Sequence, residues 1–268
     1  MQGIVILGGK GTRLNIFSRR VSNKALALVY DRCVFEYPLN TLVRAGITDI
    51  ILVVGERYAG NLLNVVGDGK EFGIKNLTYV YQRKAGGISQ AIHLAKGSIH
   101  DKCAVILGDN FFEDDITQYV DRFKKKEKGC GLFVKEVPDP ERYGVAEVSS
   151  KKCKCGGKEN ERDCSHSFNV DNIIEKPSHP KTSTAVTGLY FYDKTLFEKI
   201  ESLKPSARGE LEVTDLNMLY VNEGSCEAYP VQGYWNDMGT FDSILDTGNF
   251  VRDNDYKLNY EISAWDNE

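Results

Sequence analysis

The stretch Gly8-Gly9-Lys10-Gly11-Thr12-Arg13 has the chemistry of a phosphate cradle. Gly8, Gly9 and Gly11 carry no side chains, so backbone N–H groups can approach anionic oxygens closely. Thr12 adds a hydroxyl donor, and Arg13 a fixed fork of donors charged at any physiological pH. The plain alternative is a tight strand-to-helix turn with one solvated arginine. The stretch is not a P-loop, because Lys10 is followed by Gly11 rather than by Ser or Thr. Nor is it the dinucleotide fingerprint, since Leu14 stands where a third glycine would be needed.

Such a turn needs a strand to carry it, and Gly3 to Leu7 is an apolar run of strand length. Asn15 to Asn23 is polar without clear periodicity and reads as a mobile loop. Lys24 then precedes an apolar strand, Ala25 to Val29, from which it could face the phosphate turn. Phe35 to Gly46 reads as a helix, with Tyr37, Leu39, Leu42 and Val43 on one face and Gly46 as terminator. Ile50 to Val54 is a branched run typical of a strand buried on both faces. A helix from about Tyr58 to Val66 and a strand from Leu77 to Tyr81, ending at Gln82, come next. A second glycine turn, Ala85-Gly86-Gly87-Ile88-Ser89-Gln90, opens a helix. The buried strand Cys103 to Leu107 ends in Gly108-Asp109-Asn110. Alternating buried strands and helices imply βαβ units, an α/β protein and a mainly parallel sheet. Ligands bind beyond the carboxyl ends of such strands. The glycine turn, Gln82 and Asp109 all lie at strand ends and should converge there.

The second half reads as strands at Leu132–Val137, Tyr143–Val148 and Thr184–Tyr192, with Ile173 to Pro177 following a cysteine-rich segment. A helix from about Lys194 and another opened by Arg208 to Asp215 follow. Val231 to Thr240 leads to an N-cap for a terminal helix. This half is expected to be a subdomain resting on the first.

Composition bounds the function. The chain has 268 residues, 41% hydrophobic and 27% charged, which is ordinary for a soluble globular protein. A net charge of −4 leaves no electrostatic footprint for nucleic acid. No stretch reaches the ~20 apolar residues of a membrane span. The N-terminus lacks the features of a signal peptide, so the cytoplasm is expected. Asn76-Leu77-Thr78 matches a glycosylation sequon by chance in that setting. Cys33, Cys103, Cys130 and Cys226 read as small buried thiols.

The ordered set Gly8 to Leu14, Lys24, Gln82 with Gly87, Gly108-Asp109-Asn110, Tyr143-Gly144-Val145, Glu175-Lys176-Pro177, Val186 to Tyr190, Arg208 to Asp215 and Trp235 to Gly239 resembles the sugar-phosphate nucleotidylyltransferases. Within that family it is most similar to the glucose-1-phosphate thymidylyltransferases. The resemblance runs from Gly3 to about Phe250. It implies a Rossmann-like three-layer α/β/α nucleotidyltransferase fold with a mostly parallel mixed central sheet and a sugar-binding subdomain. Residues 1–250 would form one domain, with a nucleotide half (1–130) and a sugar-phosphate half (131–250), followed by a tail (251–268). The chain resembles the short form, without the C-terminal segment tied to assembly and regulation in longer members.

The resemblance implies transfer of a nucleotidyl group from dTTP to α-D-glucose 1-phosphate, giving dTDP-glucose and pyrophosphate. UTP, or another hexose 1-phosphate, is the alternative. The sugar phosphate oxygen would attack the α-phosphorus in line, so the protein must neutralise and align two anions. Arg13 would hold the triphosphate and stabilise the leaving pyrophosphate. Lys24 would neutralise charge near the α-phosphate, and Lys176 would grip the sugar phosphate. Asp109 and Asp237 would hold Mg²⁺, a hard cation usually bound by one or two carboxylates plus substrate oxygens and water. Leu7, Gly8, Gly9, Gly11, Thr12, Arg13, Gln82, Gly87 and Asp109 would bind the nucleotide. Gln82 can donate and accept, matching the O4/N3 edge of thymine or uracil. Asn110, Tyr143, Gly144, Glu175, Lys176, Val186, Tyr190 and Trp235 would bind the sugar, although Trp235 could instead fill core. Ala25-Leu26-Ala27 departs from the family's Gln-Leu-Leu-Pro after the lysine, and the second glycine turn lacks the family's aspartate.

Lys151 to Phe168 interrupts an expected strand pair and carries Cys153, Cys155, Cys164 and His166. These four could form a tetrahedral structural zinc site, although Cys-x-Cys is tighter than the usual spacing. The alternative is a polar surface loop with free thiols. A non-catalytic sugar-nucleotide sensor on the same scaffold should have lost Arg13, Lys24 or a metal aspartate, and this chain retains them all. Homo-oligomerisation is left open.

Overall fold

A computed structural model describes residues 1–9, 11–20, 22–55, 59–150 and 167–260. The four Cys/His residues of the candidate zinc set lie outside them, as do Lys10 and the Thr12 hydroxyl.

The first half supplies β1 (Gln2–Ile6), α1 (Asn15–Arg20), a hairpin of β2 (Leu28–Val29) and β3 (Arg32–Cys33), α2 (Glu36–Arg44), β4 (Asp49–Gly55), α3 (Ala59–Val66), β5 (Asn76–Gln82), α4 (Ile88–Leu94), β6 (Cys103–Leu107), β7 (Asn110–Phe112) and α5 (Thr117–Lys124). The second supplies β8 (Cys130–Glu136), β9 (Gly144–Ser150), β10 (Phe168–Glu175), β11 (Thr184–Tyr192), α6 (Leu196–Ser202), α7 (Val213–Asn222), β12 (Cys226–Pro230), β13 (Trp235–Asp237) and α8 (Phe241–Asp253).

Nine of these strands form one mixed sheet in the order β5-β4-β1-β6-β11-β8-β12-β10-β9. Pairing is parallel from β5 through β6, as the βαβ alternation implies. β11 joins the halves by running antiparallel to β6 and β8. Among the described residues of the second half, only β8 and β12 pair in parallel.

Alternate residues of each buried strand feed two cores, because side chains point to opposite faces. Val5, Leu52 and Ile106 pack with Leu39 and Leu42 of α2, Leu62 of α3 and Phe123 of α5. Ile4, Val53 and Val105 pack with Ile92 of α4, Ile200 of α6 and Leu216 of α7. These are the outer layers of the three-layer fold. Each such side chain contributes about 1.5–3 kcal/mol on burial. A third cluster, with Val29, Tyr37, Phe111, Met238 and Val251, seats α8 against the hairpin.

Three local expectations are corrected. Residues 15–20, read as a mobile loop, form α1, where the Ser18 hydroxyl donates to the Gly11 carbonyl at 3.0 Å. The apolar strand after Lys24 is instead a 3₁₀ turn, Lys24–Leu26, followed by the two-residue β2. The Asn23 side chain forces that turn by accepting from the Ala25 N–H at 2.9 Å. Cys33 is half-buried, whereas Cys103, Cys130 and Cys226 are buried thiols. α5, β12 and the β7–β13 pair had no counterpart in the sequence reading. The strand pair expected around the cysteine segment is β9–β10, with Val148 opposite Val170. Among the described residues, no helix is long and apolar enough to cross a membrane.

Candidate active site

The glycine turn leaves β1 at the carboxyl edge of the parallel strands. There the Leu7 N–H donates to the Val53 carbonyl at 2.8 Å. The chain then passes directly over its neighbours. A methyl on Gly8 would lie 2.1 Å from the Gln82 side-chain oxygen, so this position admits no side chain while Gln82 keeps its place. Gly9 and Gly11 have φ of 117° and 56°, the left-handed region that glycine enters without strain.

Next to the turn, the Gly108 N–H donates to the Ile6 carbonyl at 2.9 Å, which delivers Asp109 beside it. β7 continues from Asp109 and pairs with β13, setting Asn110 opposite Asp237. Two ion pairs result. Lys24 Nζ meets Asp109 Oδ2 at 2.5 Å, and the Arg13 guanidinium forks onto Asp237 at 3.1 Å. The carboxylates respond differently. Burial pushes Asp109 up, but the Lys24 ammonium with its hydrogen bond, helped by Arg13, outweighs burial and holds it below the usual range. Burial and repulsion from Asp109 push Asp237 up, and Arg13 offsets only part of this.

Two cavities open beside the glycine turn, and three of the four clustered side chains line the smaller. One of about 350 Å³ is lined by Gly8, Gly9, Gly11, Gln82 and Gly87, with Glu175, Lys176 and Arg208 also on its wall. The other, of about 130 Å³, is lined by Arg13, Asp109 and Asp237 together with Asn110, Tyr143, Val186, Tyr190 and Trp235. Gly11 thus borders one and Arg13 the other, and the turn is their partition.

The expected nucleotide residues Gly8, Gly9, Gly11, Gln82 and Gly87 therefore share one wall system. Leu7 does not. Its side chain is 1% exposed and belongs to the core. Of the expected sugar residues, Asn110, Tyr143, Val186, Tyr190 and Trp235 line the smaller cavity, while Glu175 and Lys176 face the larger. Trp235 is half-buried: it packs against the first core, lines the smaller cavity, and its indole N–H donates to Asn110 Oδ1 at 2.9 Å. Gly144 lies under Glu175, where a methyl would sit 3.4 Å from Oε2. Glu175 accepts from the Thr214 hydroxyl at 2.6 Å. Lys176 takes a left-handed φ of 44°, with its N–H bound to the Tyr143 carbonyl at 2.9 Å.

Arg208, within the family-like run Arg208 to Asp215, also reaches the site. It forks onto Glu212 at 2.9 Å and approaches Glu175 at 3.6 Å, beside Lys176. Its signal was the Arg-Gly-Glu-Leu-Glu run, read only as a helix opening. That run also straps the site together. The Leu211 N–H donates to the Gly86 carbonyl at 2.8 Å, and its own carbonyl accepts from Ser89 N–H at 3.3 Å. Gln90, bonded to Gln82, is a second omission.

The residues fit a magnesium ion. Asp109 and Asp237 offer hard oxygen donors, and their mutual repulsion persists in spite of Arg13 and Lys24. A magnesium ion held by these two carboxylates would take its remaining oxygens from substrate and water.

Comparison with known proteins decides the family. The model of the nucleotidyl transferase family matches residues 2–254. The chain belongs to this family. A glucose-1-phosphate thymidylyltransferase of Neisseria meningitidis is 38% identical over 256 residues, covering 94% of this chain and 83% of the relative. One of Mycolicibacterium smegmatis is 38% identical over 268 residues, covering 98% and 86%. Among solved structures, a Bacillus anthracis chain assigned as a glucose-1-phosphate thymidylyltransferase, in complex with sucrose, superposes with a TM-score of 0.82 at 39% identity, covering 94% of this chain and 96% of that one. A UDP-glucose pyrophosphorylase bound to UDP-glucose shares the fold at 19% identity, with a TM-score of 0.78 and coverage of 94% and 98%. This nucleotidyltransferase is thus an enzyme.

Proposed function

We propose that the enzyme transfers a thymidylyl group from dTTP to α-D-glucose 1-phosphate, releasing pyrophosphate and forming dTDP-glucose. The observation that carries this reading is that Arg13, Asp109 and Asp237, with Lys24 paired to Asp109, stand at the smaller cavity while the glycine turn that carries Arg13 lines the larger. Gln82 and Gly87 on the larger cavity suit a base and Tyr190 and Trp235 on the smaller a sugar ring, with phosphate-binding charges on both: Lys176 and Arg208 on the larger, Arg13 on the smaller. The choice of thymine and of glucose follows the names of the similar proteins from Neisseria and Mycolicibacterium.

The sugar phosphate oxygen attacks the α-phosphorus, forming the new P–O bond as the bond to the β-phosphate breaks. Reaction between two anions is slow unless their charge is neutralised and their approach aligned. Arg13 leaves Asp237 to hold the triphosphate and the departing pyrophosphate. Lys24 stays near the α-phosphate. Lys176 and Arg208, both half-exposed on the larger cavity, grip the sugar phosphate. Glu175 accepts from sugar hydroxyls, and Tyr190 and Trp235 bound the sugar. Gln82 and the Gly87 backbone read the pyrimidine edge. Asp109 and Asp237 would hold Mg²⁺, which when bound neutralises charge on the phosphates.

The test is pyrophosphate release from the full chain with dTTP, UTP, CTP, ATP and GTP against glucose, galactose and mannose 1-phosphates. Release is expected with dTTP and glucose 1-phosphate and should vanish on chelation. Nucleotide sugar binding without turnover on any pair would overturn the enzyme reading in favour of a sensor.

A further inference from the structure

We propose that Glu212 is a positioning residue that aims the Arg208 guanidinium at the phosphate of the sugar 1-phosphate. The proposal rests on the reading that Arg208 grips that phosphate. The Arg208 side chain is long and half-exposed on the wall of the larger cavity, so its aim must come from a partner. Arg208 donates through Nε–H to Glu212 Oε1 at 3.3 Å and through Nη2–H to Oε2 at 2.9 Å. Such a fork fixes the plane of the guanidinium as well as its place. Each bond also has one sense, because an ionised carboxylate only accepts and a guanidinium only donates. Nε and Nη2 share one edge of the guanidinium, and the opposite edge, with Nη1, is left for an anion. Glu175 does not compete for the fork. It stands 3.6 Å from Arg208, beyond hydrogen-bond reach, and its Oε2 accepts from the Thr214 hydroxyl.

Glu212 is itself anchored. The Ser206 hydroxyl donates to its Oε1 at 2.6 Å, and its backbone carbonyl accepts from the Ser89 hydroxyl at 3.1 Å, which ties it to the start of α4. Ser206 and Arg208 belong to one tight turn, in which the Gly209 N–H donates to the Ser206 carbonyl at 2.8 Å and Gly209 takes a left-handed φ of 73°. Glu212 stands at the N-cap of α7, yet its side chain does not bond the N–H groups of that helix. Its carboxylate serves the turn and Arg208 instead.

Two effects of Glu212 on an incoming anion oppose each other. Its charge repels the phosphate, whereas its fork holds Arg208 where the phosphate binds. Both carboxylate oxygens accept from donors, so the repulsion is largely offset and the pre-organisation of a rotamer-rich side chain prevails. Removing the charge alone should therefore weaken sugar phosphate binding, not strengthen it.

The experiment measures kcat, KM for glucose 1-phosphate and KM for dTTP by pyrophosphate release from the full chain at saturating Mg²⁺, in the parent, Glu212→Gln, Arg208→Met and the double variant. Arg208→Met should raise KM for glucose 1-phosphate by about tenfold or more. Glu212→Gln keeps the size but loses the charged fork, and should raise that KM by about fivefold, with kcat and the KM for dTTP within about twofold of the parent. The double variant should match Arg208→Met alone within about twofold, because Glu212 acts only through Arg208. If a melting curve shows that Glu212→Gln has not folded, Glu212→Asp, which keeps the charge but falls short of the fork, takes its place with the same expected direction. An unchanged or lowered KM for glucose 1-phosphate in the Glu212 variant overturns the proposal alone, as do effects that multiply in the double variant. A fall in kcat with both KM values raised together marks a merely structural role and overturns it too. A parent-like KM in Arg208→Met overturns the reading of Arg208 as the phosphate grip, and the proposal with it.

Discussion

Lys24 and Arg13 each face an aspartate, but their pairs differ in burial and so in what each holds up. The Arg13 side chain is 51% exposed, so its pair with Asp237 adds at most about 1 kcal/mol to stability. Arg13→Ala should leave the melting temperature nearly unchanged while lowering kcat/KM by about 10²–10³, as expected when a donor to developing charge is lost. Steady-state pyrophosphate release beside a thermal melt separates the two effects. Lys24 and Asp109 are both mostly buried, and Lys24→Met would strand a carboxylate at a cost of about 3–5 kcal/mol at neutral pH. The sign with pH follows from the lowered pKa of Asp109. Its stabilisation is full above the unfolded value of about 3.9 and is lost as pH falls through the folded value. In Lys24→Met, protonation relieves the stranded charge. The stability gap between parent and variant should therefore narrow from pH 7 toward pH 4 in urea titrations with chelator. Charge and donor type were legible residue by residue, because they are properties of the side chain. Which cavity each residue would face was not. Glu175 and Lys176 turn to the larger cavity through the left-handed backbone at Lys176, a conformation that lysine does not advertise.

Among the elements, those with strong local signals were readable, and those built by distant partners were not. β4 and β6 announce themselves as branched runs, and α2 by its apolar face and the terminating Gly46. β7 and β13 are three residues each and exist because each pairs with the other, with Asp237 opposite Asn110. No periodicity can be seen in three residues. α1 is polar in sequence and is tied to the turn through Ser18. α8 follows β13 by only three residues, and Thr240 starts it with a reciprocal cap: its hydroxyl accepts from Ser243 N–H at 3.1 Å, and Ser243 Oγ accepts from Thr240 N–H at 3.0 Å. Thr240→Ala should cost about 1 kcal/mol, seen as a lower urea midpoint with unchanged slope. Thr240→Ser should retain most of that stability.

For the whole molecule, the seam between halves is the antiparallel contact of β6 with β11, with Cys103 opposite Tyr192 and Ile106 opposite Leu189. Because both cores cross this seam, the halves should unfold in one transition. Cys103 and Cys226, buried in different halves, should then become reactive together. Peptide-resolved thiol labelling across a urea series checks this, with two separate labelling midpoints as the contrary outcome. The α/β class and the convergence of strand ends were legible because parallel order follows from alternation. The placement of β11 between β6 and β8 was not, since it depends on pairing across a long stretch of chain. The contact between Gly8 and Gln82 has a historical consequence. Two positions 74 residues apart meet in one volume, so a side chain at position 8 requires the end of the Gln82 side chain to move aside or shorten, whereas position 82 can shorten alone. The order of substitutions is therefore biased, and a change at position 82 should precede, not follow, any departure from glycine at position 8.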